Sequence, residues 1–119
     1  RAARILFSLG FHLGEMTPDE AVELLVDRVG HERENARAEV RRSFAGDYGP
    51  LYQIAYMVGG LQFRELHREF VQSGRMSERE FHDAILMGGP MPVAAVRARL
   101  SGDVPSEGLR ADWRFYRFD

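Results

Sequence analysis

Tyr52 and Tyr56 stand one helical turn apart, and Gly59 and Gly60 come one turn further on. Phenols in that register suit one kind of chemistry. An O–H aimed into a cleft donates to an oxygen that gains negative charge in a transition state, and glycines leave room for a substrate. The plainer reading of the same spacing is two core tyrosines with satisfied hydroxyls.

The four histidines offer less. His31-Glu32 begins like HExxH, but Asn35 occupies the position that needs the second imidazole, so the zinc motif is broken. A surface helix start is the expectation there. His67, in ELHRE, and His82, in EFHDA, lie beside carboxylates with no second histidine at i+3 or i+4. They read as partly buried histidines paired with Asp, Glu or backbone. His12 has an acidic neighbour at helical spacing only in Glu15, and spacing alone makes it a core-edge histidine. No residue is assigned as a metal ligand, and this segment by itself calls for no cofactor.

Arg37, Arg41 and Arg42 form a basic patch, but Glu34 and Glu39 interleave with it, as on a solvated helix face. With 119 residues, 45% apolar content and a net charge of −2, the chain supports one core. It lacks the basic excess of a nucleic-acid or polybasic membrane binder. No apolar run of membrane-spanning length and no signal-peptide pattern occurs. Without cysteine there is no disulfide and no thiolate nucleophile. All sixteen basic residues are arginine, a mark of GC-rich coding more than of function.

The elements that must position these residues are helical. Residues 1–13 carry Ile5, Leu6, Leu9 and Leu13 on one stripe, with Arg4, Ser8 and His12 opposite, and Gly14 as a stop. Thr17, Pro18 and Glu20 mark a capped start, after which Ala21, Val22, Leu25, Val26 and Val29 face the core. Residues 31–45 form a surface helix with the narrow stripe Ala36, Val40 and Phe44. After a turn at 46–49 comes the longest uninterrupted run, 48–71. Pro50 suits its first turn. Leu51, Ile54, Ala55, Val58 and Leu61 make one apolar row, and Tyr52, Tyr56, Gly59/Gly60, Phe63 and His67 a second, so a central helix is expected, buried over its first half and reaching solvent at its far end. Its glycine pair costs roughly 1 kcal/mol per residue relative to alanine; a closely passing backbone or a bend would account for it. Ser77 and Glu80 cap a further helix, with Met76 and Phe81 as a hydrophobic staple and Phe81, Ala84, Ile85 and Leu86 inward. Pro92 opens a last helix, ended by Gly102. GEMTPDE and GRMSERE look alike, but the helices they open share nothing beyond their periodicity, so convergent capping explains them. The tail, 103–119, has no helix pattern, and Trp113, Phe115, Tyr116 and Phe118 crowd its end. So dense an aromatic segment is expected to dock in a groove, on this chain or on a partner segment.

Three ordered blocks carry a family resemblance. They are RAARILFSLGFHLGEMTPDEAVELL; PLYQIAYMVGGLQFREL, with Pro50, Tyr56 and Gly59 at pattern positions; and REFHDAILMGGPMPVAAVRARL. Over residues 1–100 the chain resembles the C-terminal part of a bacterial family, the domain of unknown function numbered eight-eight-five. Its long members look like helical zinc metallopeptidases, with an HExxH helix and a further glutamate ligand upstream of the part seen here. The resemblance implies that this segment walls a catalytic cleft. There His12 and Tyr56 would steady a carbonyl oxygen as it gains charge, and Tyr52, Gly59 and Gly60 would line the substrate. Tyr52 and Gly60 stand where glutamine is usual in the family, which suggests a subgroup.

The expectation is therefore an all-α domain, 1–102, of five or six helices around a buried central helix, with a docking tail, 103–119. Arginine at position 1 and a mid-helix pattern from Ala2 suggest a fragment or processed piece. Its functional reading is the cleft-forming C-terminal part of a zinc-dependent peptidase or hydrolase, inactive alone, with zinc implied for the full-length parent. The implied partners are the missing N-terminal part and a peptide substrate. The alternative is a non-catalytic helical interaction module, for which a homo-oligomer is the natural assembly.

Overall fold

The structure, a computed structural model, describes residues 1–46, 49–50, 52–103 and 113–116. Among them there are six α-helices and no strand, so the chain is all-α as expected. The helices are α1 (Ala2–His12), α2 (Pro18–Val29), α3 (Arg33–Phe44), α4 (Tyr52–His67), α5 (Glu78–Leu86) and α6 (Val93–Ser101). A π-helical turn, Arg68–Gln72, continues α4. The chain forms two compact units, Arg1–Val58 and Gly59–Asp119. No described helix is long and apolar enough to cross a membrane.

In the first unit the core is Phe7, Ala21, Val22, Leu25, Ala36 and Val40, with Ala3, Met16, Leu24, Val26 and Phe44 packed around it. The expected inward faces of α2 and α3 are thus largely observed, except that Val29, in the last turn of α2, is exposed. In α1 the expected stripe is turned outward. Leu6 is 59% exposed and Leu13 67%, while Phe7 and Ser8 are buried. The helix has two apolar rows, and aromatic packing selects between them. Phe7 meets the edge of Phe44, and Phe11 stacks on Phe44 with ring centroids 3.6 Å apart. Gly10 sits on the winning side because the chain returns over it. A Cβ there would come within 3.0 Å of Met16 Cβ.

The two helix starts are built alike. Gly14 and Gly74 both adopt positive φ, and the methionine two residues on, Met16 or Met76, donates its N–H six residues back, to the carbonyl of Gly10 or Phe70. Each then leads into a complete capping box, Thr17 with Glu20 and Ser77 with Glu80. Both carboxylates titrate below the ordinary range. The Thr17 backbone N–H leads for Glu20, and the Ser77 hydroxyl for Glu80. α3 begins later than expected, at Arg33, because the Glu32 carboxylate caps it by accepting from the N–H groups of Glu34 and Asn35.

The second unit packs Leu66, Phe70, Phe81 and Val96, with Met76, Ile85, Met91, Val93 and Trp113 among the residues around them. Both partners of the expected staple, Met76 and Phe81, are in this cluster, and Leu86 is exposed. Glu69, in the π-helical turn, accepts two hydrogen bonds from Arg97 at 2.8 Å, and the same guanidinium lies 5.6 Å from the Trp113 ring centroid. Of the aromatic tail, Trp113 packs on this cluster, and Phe115 and Tyr116 follow it in ring contact. Phe118 and most other tail positions lie outside the described residues, as do Leu51 and the turn at 47–48.

α4 is less buried than its two apolar rows suggest. Ala55 and Phe63 are exposed, Ile54, Val58 and Leu61 are half-buried, and the fully buried positions are Gln53 and Leu66. The described core clusters take α4 only at Leu66, because α1–α3 build the first core without it.

The orientation of α1 is testable by urea unfolding. Phe7→Ala is expected to cost about 3–5 kcal/mol, and Leu9→Ala, on the outer row, about 1 kcal/mol or less. A reversed ranking would put the leucine stripe inside. The capping boxes make a second test. A carboxylate whose folded pKa is depressed contributes stability above its unfolded pKa and loses it as pH falls through the folded pKa. Glu20→Gln with Glu80→Gln should therefore flatten the acid limb of a stability–pH curve while leaving its shape above the carboxylate range unchanged. An acid limb as steep as that of the parent chain would remove the boxes as its source.

Candidate functional site

The first turn of α4 is fixed by buried polar groups that an apolar-periodicity reading passes over. Ser43 Oγ, in α3, donates to the Glu39 carbonyl at 2.9 Å and accepts from Gln53 Nε2 at 2.7 Å. Ser8 Oγ, in α1, donates to the Pro50 carbonyl at 3.2 Å. Ser8, Ser43 and Gln53 are all at least 95% buried. Glu39 is nearly buried too, with its carboxylate 2.9 Å from Arg4 Nε and 2.6 Å from Arg42. These contacts join α1, α3 and the start of α4 through groups whose burial would be costly unpaired. Gln53 Oε1 itself has no hydrogen-bond partner among the described residues. The signal in the sequence was a lone amide between apolar rows.

With Gln53 held inward, its helix neighbours Tyr52 and Tyr56 face out, 37% and 47% exposed. The structure brings these two predicted site residues together. Their hydroxyls are 2.6 Å apart and their rings nearly perpendicular, with centroids 5.4 Å apart. Arg1 adds a charge that the sequence reading missed, its guanidinium lying 5.1 Å from the Tyr56 ring centroid. In a phenol–phenol bond one hydroxyl is the donor, and the accepting hydroxyl keeps its own proton to give onward. A donor of that kind beside a cation is suited to an oxygen that becomes negative.

The other predicted residues lie elsewhere. His12 is in the last turn of α1, exposed, packed edge-on to Phe11 and near Phe44. About 15 Å of helix rise separates it from Ala2 at the Arg1 end. Gly59 and Gly60 open the second unit, and a Cβ at either would meet no described atom within 4 Å. His67 is half-buried and bonds Glu78 at 2.8 Å, while His82 stands 4.0 Å from the same carboxylate. Both histidines thus have an acidic neighbour, but His82 is exposed and not partly buried as expected. His31 precedes α3, next to its cap. Among the described residues no three His, Asp or Glu side chains gather as a metal site. A zinc ion therefore finds no fitting donor set in them.

The fold and its exposed phenols define an all-helical protein with a candidate polar donor site on one helix. Comparison with known proteins supplies the family. A family model described as "Bacterial protein of unknown function (DUF885)" matches residues 1–100, and the chain belongs to that family. No curated protein and no solved structure matches it.

The buried anchor should behave as a coupled pair. Ser43→Ala leaves Gln53 Nε2 without its acceptor and is expected to cost about 1–3 kcal/mol. In a double-mutant cycle with Gln53→Leu, the joint cost should fall at least about 0.5 kcal/mol short of the sum. Strict additivity in chemical unfolding would mean that the 2.7 Å bond does not hold α4 in place.

Proposed function

We propose that this chain forms part of the wall of a hydrolase cleft, with Tyr56 as the group that meets a substrate carbonyl. The observation that carries the reading is the exposed Tyr52–Tyr56 hydroxyl pair beside Arg1, within the residues matched by the family. Tyr52 donates to the Tyr56 oxygen, and Tyr56 donates its own hydrogen bond to the carbonyl oxygen. That bond strengthens as a nucleophile adds to the carbon and the oxygen gains charge. The guanidinium of Arg1 keeps a positive charge near the pair. His12, a helix length away, serves as a contact to a more distant part of the substrate.

The resemblance to metallopeptidase-like proteins supports a peptide or related amide as substrate and implies zinc for the longer parent. The chemistry assigned to Tyr56 uses this chain's own residues. The segment contributes charge stabilisation, and alone it does not turn over.

A second reading has its own support. The outward row Leu6, Leu9 and Leu13 on α1 suits a helical interaction or oligomerisation module. The two readings part at Tyr56. In the protein made from its full reading frame, Tyr56→Phe is expected to lower kcat for peptide hydrolysis about 10²–10³-fold, with KM within a few-fold. Turnover within twofold of the parent protein, with unchanged circular dichroism, would defeat the cleft reading.

A further inference from the structure

A concave surface lies in the first unit, between the start of α2 and the last turns of α3. It is a cleft of about 430 Å³ open to solvent, within the range of roughly 300–1,000 Å³ usual for small-molecule sites. Half-buried Phe44 supplies apolar surface, with Val22 and Val40 only 5% and 3% exposed, and Asp19, Arg37 and Arg41 supply charge. The apolar part is rigid, since Val22 and Val40 belong to the core and Phe44 is clamped between Phe7 and Phe11.

The charges are what set this cleft apart from a solvated helix face. Arg37 is paired with Glu34 at 2.8 Å, and Arg42 with Glu39 at 2.6 Å. Arg41 has no ion-pair partner among the described residues, and neither does Asp19. An unneutralised cation and an unneutralised anion thus line one cleft without closing on each other, over a preformed apolar surface. A ligand that bridges them needs a negative group, a positive group and an apolar body.

We propose that the α2–α3 cleft binds a free amino acid with an apolar side chain. Its α-carboxylate goes to Arg41, with Arg37 adjacent, its α-ammonium goes to Asp19, and its side chain rests on Val22, Val40 and Phe44. A simple anion would leave Asp19 as a repelling charge, and a simple cation would meet two arginines. The zwitterion is the ligand for which every lining charge is favourable. The site is separate from the tyrosine pair and stands whether or not the chain belongs to a hydrolase.

The test is calorimetric or NMR titration of the full chain with L-phenylalanine, N-acetyl-L-phenylalanine and L-phenylalaninamide. The free amino acid should bind, and each blocked derivative should bind about tenfold more weakly. Arg41→Gln and Asp19→Asn, both at exposed positions, should each weaken L-phenylalanine about tenfold, and Asp19→Asn should abolish the discrimination against the N-acetyl derivative. Circular dichroism checks that both variants fold. Equal binding of all three probes would reduce the cleft to a non-selective apolar contact. Preference for the N-acetyl derivative would make it an anion site. No binding of L-phenylalanine, or variants that bind it like the parent chain, would remove the proposal.

Discussion

One buried hydrogen bond, from the Gln53 amide to the Ser43 hydroxyl, decides which way the first turns of α4 face. Successive residues on an α-helix are rotated by about 100°. With Gln53 committed to a buried partner, Tyr52 and Tyr56 are carried to the flank of the helix and into solvent. The same anchor reaches back through Ser43 to the Glu39 carbonyl, and the Glu39 carboxylate binds Arg4 and Arg42. A polar seam of this kind is less tolerant than an apolar one. Removing either member of a buried pair strands the other, whereas an apolar contact can be repacked. It therefore specifies a register that a row of aliphatic side chains would leave loose.

The features legible in the sequence were those that local chemistry dictates. Both capping boxes were visible as Thr17/Glu20 and Ser77/Glu80, because a hydroxyl and a carboxylate three residues apart satisfy each other's orphan groups wherever they occur. The glycines after α1, α2 and α6 were legible for a similar reason, and Gly14, Gly30 and Gly102 all take positive φ. The family blocks were legible over residues 1–100, and the matching family model covers the same span.

The features that stayed hidden depended on partners distant in sequence. Periodicity identifies an apolar stripe without saying which of two stripes wins. In α1 the choice fell to Phe7 and Phe11 because Phe44, more than thirty residues away, offers a ring to stack on. The apolar rows of α4 imply burial nearly all round over its first half, yet the first core closes over α1–α3 and needs little from it. Ser8 reads as part of the polar side of α1 and is instead buried, and Ser43 carries no helical-face signal, both being small polar residues of the kind usually found at surfaces. Arg1 and Tyr56 are 55 positions apart, and their contact has no pattern in the chain.

The placement of arginine in this chain reflects a division of labour set by geometry. Arg97 is held in a bidentate grip by Glu69 with Trp113 beside it, a site that uses the planar fork and the flat face of guanidinium together. Arg33 makes a two-point bond to Glu23 between α2 and α3, and that carboxylate is held below its ordinary range chiefly by the guanidinium's hydrogen bonds. Both are structural, since each guanidinium is committed to a carboxylate on another element. Arg1 is over a phenol and Arg41 faces a cleft, with no carboxylate bound to either among the described residues. A cation left unneutralised beside preformed concave or aromatic surface keeps its charge for something outside the fold. The chain has no lysine, so the arginines that hold the structure and those that do not are told apart by partner geometry alone. Among the described residues, Arg1 and Arg41 are placed in the way that the roles proposed for them require.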